Sequence, residues 1–310
     1  MSARFFDLLR LIRLPNLVVV AITQCLVYYR LLRPALEQEG ITPVLTPIKF
    51  IELLIVTLMI TTSGYLVNDL VDTRTDAVNR PGTNPVDRLG RDLVVWFYCV
   101  AMLAGFLVTM LLAFRLQERQ LVWIFPVAIG LLTLYSTSIK KIPAVGNLLV
   151  ALYCAGVPGI LLLAERVPMY RLYQTDPGSA VATLRIVGLF MVFAFVATLL
   201  RELVKDLEDI EGDREVGRRT LPIALGVTRS RTLALVLGAT VVVAMLVPVV
   251  LGWPGFTQPT MLICLLVLIA ALLFLMYRIS GARGAQDYHR VSQQLKLFLL
   301  AGLALLIFFR

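Results

Sequence analysis

A chain of 310 residues that is 59% hydrophobic and only 16% charged, with a mean hydropathy of +0.85, carries more apolar surface than a water-soluble domain can bury. The formal charge of +9 raises nucleic acid as a partner, but the basic residues fall between apolar runs rather than among aromatics on one soluble face, which points to membrane topology instead. Cys25, Cys99, Cys154 and Cys264 all lie inside apolar runs without CxxC spacing, so neither a zinc site nor a disulfide framework is indicated and they read as small core hydrophobes.

Met1–Arg13 is basic and amphipathic, and the apolar run behind it lacks a small-residue cleavage pattern and is followed by more spans. A removable signal peptide is not expected. Nine runs are long enough to cross a bilayer: Leu14–Leu32, Phe50–Val67, Leu93–Phe114, Leu121–Thr137, Val145–Ala164, Ala182–Leu200, Thr232–Leu251, Met261–Tyr277 and Leu295–Phe309. The expected fold class is therefore an all-α integral membrane protein of about nine transmembrane helices, in a single domain over residues 1–310.

An N-terminus in the cytoplasm puts 20 of the 29 lysines and arginines on the inner side. That is the asymmetry membrane insertion favours. The same layout puts 14 of the 20 acidic residues inside, every dense cluster among them, so one face of the membrane, that of the cytoplasmic membrane's inner side, is expected to carry the chemistry. The outer segments Pro34–Pro47, Glu165–Gly178 and the turn at Gly252-Trp253-Pro254-Gly255 read as plain connections.

Span two ends in Gly64–Pro81, which sets Asp69, Asp72 and Asp76 close together. Asn68, Asp72 and Asp76 stand at i, i+4 and i+8, on one slowly drifting helical face. Their charges repel unless a cation lies between them. A second cluster, Arg201–Asp213, ends span six on the same side, with Asp206, Asp209 and Asp213 at i, i+3 and i+7, again read as one helical face. Each cluster is followed by a basic, proline-containing tail, and two such faces could converge across a bundle. One charge run at a helix end is usually a solvated edge. Two runs of hard oxygen donors on one side, Asn68, Asp69, Asp72, Asp76, Asp206, Asp209 and Asp213, fit Mg²⁺ held through a few protein contacts while phosphate oxygens complete the shell.

Such a bridged diphosphate still needs cations as it leaves. Lys140, in Tyr135-Ser136-Thr137-Ser138-Ile139-Lys140-Lys141 at the inner end of span four, is the first candidate, with Tyr135 and Ser136 as hydrogen-bond donors; a topology-setting lysine explains its position equally well. Arg74 and Lys205 lie inside the acidic clusters, as catalytic cations or structural counter-ions, and Arg201 stands beside the second. Polar residues within spans, Asn16, Thr23 and Gln24 in span one and Asn147 in span five, either line a cavity or bond helix to helix, the latter preferred for Thr23. His289, the sole histidine, is placed in an inner loop without a catalytic role.

These motifs resemble those of the UbiA superfamily of intramembrane prenyltransferases over nearly the whole chain. The first signature is similar to Asn68-Asp69-Leu70-Val71-Asp72-Thr73-Arg74-Thr75-Asp76 with Asn79-Arg80-Pro81. The second is similar to Lys205-Asp206-Leu207-Glu208-Asp209-Ile210-Glu211-Gly212-Asp213 with Gly217 and Thr220-Leu221-Pro222. Arg13-Leu14-Pro15-Asn16, Tyr135-Ser136 with Lys140, and Gly146-Asn147 support the match. The resemblance implies a bundle around a central cavity open to lipid, aspartates that bind Mg²⁺, metals that hold a prenyl diphosphate, and substrate contacts from Arg13, Asn16, Ser136, Asn147, Arg80 and Arg201.

The opening Arg13–Leu17 with Ala21–Gln24 is most similar to the subgroup that prenylates geranylgeranylglyceryl phosphate, making geranylgeranyl diphosphate the expected donor. The second motif shares that likeness, but its Lys-Asp-x-x-Asp-x-x-Gly-Asp form also resembles the branch acting on chlorophyllide and homogentisate, so prenylation of an aromatic quinone or tetrapyrrole precursor is the alternative. After Asn79-Arg80-Pro81 the chain departs from many relatives, reading Gly82-Thr83-Asn84-Pro85-Val86-Asp87-Arg88 where a second Arg-Pro is common. Two other classes use acids near membrane helices. CDP-alcohol phosphotransferases would show an Asp-Gly and Ala-Arg pattern, which is absent. Secondary transporters would place acids mid-span, whereas these lie at span ends.

Overall fold

The computed structural model describes residues 3–79, 82, 84–215 and 217–309, and within them all side chains except those of residues 3, 4, 74, 75, 77–79 and 141. Among the described residues the secondary structure is helical without strands. Among the described residues nine helices are long and apolar enough to cross a membrane: Leu14–Gln38, Pro47–Thr73, Arg91–Leu116, Arg119–Thr137, Val145–Ala164, Pro177–Glu208, Val227–Val250, Pro259–Gly281 and Ala285–Phe308. The nine expected spans are all present, most of them longer than the apolar runs alone suggest.

The differences have local causes. Pro34 sits in the first turn of a short helix, Arg33–Gln38, where its missing N–H costs nothing, so part of the first outer segment continues the span through a π-helical turn at Tyr28–Leu32. The second outer segment is also structured: Arg166–Thr175 is a helix whose Pro168, Met169 and Leu172 are buried. His289 is not in a loop, because the last long helix begins at Ala285 and carries it.

Two compact units divide the chain. The first comprises Met1–Ile22, Val44–Ile142 and Gly212–Arg218. Its axis is Pro47–Asn79, a single helix of 33 residues packed against Arg91–Leu116 and Ile124–Thr137. At 1.5 Å per residue it is about 50 Å long, against about 30 Å of hydrocarbon, so a polar end must stand clear of the apolar layer. It runs past Val67 because residues 68–79 contain no glycine or proline. A small core of Leu11, Leu66, Leu70, Val86, Val94 and Ala101 sits beside that polar end. It seats the amphipathic Ala3–Leu11 helix and the short Pro85–Leu89 helix on the long one, with Arg88 and Asp7 paired at 3.1 Å.

The second unit comprises Thr23–Pro43, Pro143–Glu211 and Arg219–Arg310. Pro177–Glu208 is its axis, packed against Val145–Ala164, Val227–Val250 and Ala285–Ala304. Its start is a strong one: Asp176 accepts hydrogen bonds from the Gly178 and Ser179 amides, and proline occupies the first helical position. Gln24, fully buried, donates to the Val157 carbonyl at 3.3 Å, so this polar residue of span one makes a helix-to-helix bond. Arg231 donates to the Ser280 and Ala282 carbonyls and to Tyr288 Oη, closing the C-terminal end of Pro259–Gly281 where cations are favoured.

Close helix packing in the first unit depends on Gly105. A Cβ there would lie 2.2 Å from the Phe125 ring and 2.9 Å from Met59. Gly105→Ala should therefore lower the thermal unfolding midpoint in detergent, with a loss of about 1–3 kcal/mol for overpacking. Gly130→Ala is the control: its added methyl meets nothing within 4 Å, so removing a helical glycine should leave the midpoint unchanged or raised.

Candidate active site

In the first unit the polar end of Pro47–Asn79 presents Tyr65, Asp69, Asp72 and Asp76 at i, i+4, i+7 and i+11, a narrower stripe than the one through Asn68. Asn68, half-buried, stands at its margin. Leu66 and Leu70, about a quarter-turn away, are held by the small core, which fixes the rotation of the stripe.

Each carboxylate on the stripe has its own partner. Asp72, 7% exposed, receives both Lys140 Nζ and Arg218 Nη2 on Oδ1, each at 2.5 Å. Asp69 is paired with Arg13 at 2.7 Å, and the same guanidinium lies 4.7 Å from the centroid of the Tyr65 ring. Arg13 adopts φ +51°, a conformation unfavourable for a side-chain-bearing residue, at the turn between the first two helices. Asn16 completes the arrangement by donating to Tyr65 Oη at 3.2 Å. Asp76 accepts from Asn84 Nδ2 at 2.8 Å.

Burial disfavours charge on two groups here. It pushes the Asp76 carboxyl upward, with the neighbouring Asp72 charge adding to the effect and the Asn84 hydrogen bond opposing it. It pushes the Lys140 ammonium downward, against the opposing pull of Asp72.

The second cluster is not one continuous helical face. Pro177–Glu208 ends at Glu208, Asp209 is its C-cap, and a new short helix runs Ile210–Glu215. Asp209 has φ −94° and ψ 8°, outside the helical range, so the i, i+3, i+7 relation fails after Asp206. The chain also changes unit between Glu211 and Gly212. Buried Asp213 belongs to the first unit, where Arg218 Nη1 lies 3.5 Å from it while the other nitrogen serves Asp72.

In the second unit Asp206 accepts from Asn147 Nδ2 at 2.7 Å, which makes that span-five amide a partner of the motif. Arg201 is paired with its neighbour Glu202 at 2.6 Å, and Lys205 lies half-buried on the same helix. Glu208 meets His289 Nδ1 at 2.8 Å.

Of the other expected site residues, Ser136 is buried in the first unit, 1% exposed, and its hydroxyl has no hydrogen-bond partner among the described residues. Tyr135 is half-buried one position earlier. Arg80 lies outside the described residues, as does the Arg74 side chain.

Sequence reasoning did not single out Arg218, Asn84, Tyr65 or Glu202. Arg218 was visible only as one base in a basic tail, and nothing local ties it to an aspartate 146 positions away. Asn84 did carry a signal, since asparagine before proline marks a helix start. It caps Pro85–Leu89 by accepting from the Val86 amide.

Among the described residues no three histidine, cysteine, aspartate or glutamate side chains come together as a closed metal cage. The donor chemistry nevertheless suits Mg²⁺, which prefers carboxylate oxygens and normally takes only one or two from the protein when phosphate supplies the rest. Among the described side chains around this stripe four carboxylates, Asp69, Asp72, Asp76 and Asp213, face three cations, Arg13, Lys140 and Arg218, which leaves a net negative charge for a metal to match. Cations and carboxylates interleaved at the end of membrane-crossing helices define an integral membrane protein with a charged site beside the apolar layer.

Comparison with known proteins narrows that class. The UbiA prenyltransferase family model matches residues 36–303, and the chain belongs to that family. The digeranylgeranylglyceryl phosphate synthase of Methanopyrus kandleri is 31% identical over 257 residues, covering 80% of this chain and 83% of that protein. Its counterpart from Pyrococcus horikoshii is 29% identical over 217 residues, 69% of each chain. A solved structure concerning digeranylgeranylglyceryl phosphate synthase in membranes shares the fold, with a TM-score of 0.65, 19% identity and coverage of 99% and 98%. The chain is thus a prenyltransferase, an enzyme that takes a prenyl diphosphate and a lipophilic acceptor.

The shared Asp72 oxygen makes a measurable demand. Lys140→Met and Arg218→Met should each cut diphosphate release from an allylic prenyl diphosphate by about tenfold or more, and the double variant should fall short of the product of the two losses. Such non-additivity, of about 0.5–3 kcal/mol, is the signature of two groups acting on one partner. Independent effects would show that only one of them serves Asp72 in turnover.

Proposed function

We propose that the enzyme transfers a geranylgeranyl group from its diphosphate to the free hydroxyl of geranylgeranylglyceryl phosphate, forming an ether bond within the membrane. The observation that carries the acceptor choice is the similarity, over four-fifths of the chain, to a digeranylgeranylglyceryl phosphate synthase. On this reading the whole chain acts as one catalytic domain, in the cytoplasmic membrane, with its N-terminus and active site on the cytoplasmic side.

The chemistry sets the roles. The bond between the prenyl C1 and the diphosphate oxygen breaks with its electron pair leaving on diphosphate, and the acceptor hydroxyl oxygen then bonds to C1 as its proton is lost. Diphosphate is a poor leaving group unless its charge is neutralised, and the allylic cation must be kept from water. Mg²⁺, when bound, supplies Lewis-acid neutralisation of the diphosphate. Asn68, Asp69, Asp72, Asp76, Asp206, Asp209 and Asp213 are the residues that would hold it. Lys140, with Arg218, neutralises the departing group, assisted by Arg74 and Lys205, and Tyr135 donates a hydrogen bond. Arg13, Asn16, Ser136, Asn147, Arg80 and Arg201 orient the substrates.

Three measurements test this. Purified protein with Mg²⁺ should release diphosphate from geranylgeranyl diphosphate, and Asp72→Ala and Asp209→Ala should each lower the rate by about 10²-fold or more, the scale seen when a transition-state charge stabiliser is removed. Full activity in both variants overturns the metal-and-diphosphate assignment. Labelled geranylgeranyl diphosphate supplied with membrane extract should yield labelled digeranylgeranylglyceryl phosphate by mass; label in an aromatic quinone precursor overturns the acceptor. For the orientation, a single cysteine at Arg88 in a cysteine-free background should be reached by impermeant thiol reagent only after the cell membrane is opened.

A further inference from the structure

We infer that Asn84 is a positioning residue, acting through Asp76 to set the oxygen that meets the Mg²⁺–diphosphate end of the substrate; the inference rests on the prenyl-transfer reading above. Asn84 is 3% exposed, and its amide is used in three directions. Nδ2 donates to the Asp76 carboxylate at 2.8 Å and to the Asp69 main-chain carbonyl at 3.1 Å, while Oδ1 accepts from the Val86 amide at 2.9 Å. A side-chain amide has two N–H donors and one carbonyl acceptor, so this one has little left to give. Asn84 thereby ties the start of Pro85–Leu89 back onto the motif helix at positions 69 and 76.

What distinguishes Asp76 is the charge of its partner. Asp69 is matched to Arg13, and Asp72 to Lys140 and Arg218. Among the described residues the direct partner of Asp76 is a neutral amide. A neutral donor fixes a carboxylate without cancelling its charge, which is what a carboxylate awaiting a metal requires.

The two jobs of Asn84 can be separated. Asn84→Ser keeps a side-chain oxygen able to cap Pro85–Leu89 but is too short to tether Asp76; Asn84→Ala loses both. The probe is Mg²⁺ with inorganic diphosphate, read as the concentration needed to raise the unfolding temperature of the full chain in detergent. Kinetics with prenyl diphosphate accompany it. Asn84→Ser should lose less stability without ligand than Asn84→Ala, require about tenfold more Mg²⁺–diphosphate than wild type, as expected for one lost hydrogen bond to a charged group, and raise KM far more than it lowers kcat. Asn84→Ala should show the same shift on a less stable protein. A wild-type dose response and KM in Asn84→Ser overturn the inference and leave Asn84 as a helix cap only. Wild-type protein that does not respond to Mg²⁺–diphosphate overturns both this inference and the metal reading beneath it. A different acceptor would leave the inference standing, because the probe contains none.

Discussion

Two cations on one oxygen of Asp72 form the interaction on which the site depends. Removing a carboxylate, an ammonium and a guanidinium from water together is costly, and the attraction among them offsets that cost only if all three are held close. Their positions, 72, 140 and 218, come from three well-separated stretches of one unit. The long helix must therefore continue past its apolar run to carry Asp72, the short turn after Thr137 must present Lys140, and the segment after Asp213 must return Arg218. With Asp213, which Arg218 also faces, the two cations balance two carboxylates, so loss of any one of the four leaves an unmatched charge among buried groups.

That dependence explains which parts were legible in the sequence. Nine spans and the acid stripe of the second were readable because hydropathy and helical periodicity are local properties. Lys140 was readable as a candidate from its place at a span end, but its partner was not, since the two are 68 positions apart. Arg218 was hidden for the same reason. The early start of the last span was missed because Tyr288, His289, Arg290 and Lys296 break the apolar run. Their polarity is accommodated by partners such as Arg231 for Tyr288 and Glu208 for His289. Polar residues at the end of a membrane helix lower its hydropathy without shortening the helix.

The second motif shows the limit of periodicity from the other side. Its acids are spaced as though on one helix, yet the backbone leaves helical geometry at Asp209 and starts a new helix at Ile210. Spacing states what a regular helix would do, not whether the helix stays regular. The break has a consequence: Asp206 is held by Asn147 in one unit, whereas Asp213 and Arg218 belong to the other. A straight helix through Asp213 would set all three acids on one rigid face.

On the proposed reaction, the resting pairing and the working arrangement use the same groups. Lys140 and Arg218 stand on Asp72 in the resting protein, and Arg13 stands on Asp69. A substrate that brings its own metal offers the carboxylates a new cation and the side-chain cations a new anion. The exchange replaces ion pairs by ion pairs, so the desolvation already incurred in folding is not incurred again on binding. The charge needed to draw off diphosphate is then in place before the bond breaks, which is the condition for electrostatic stabilisation without reorganisation. The stripe from Tyr65 to Asp76 names the reaction because leaving-group charge is the same for every acceptor, and for that reason it is silent about which acceptor the lipid side of the enzyme receives.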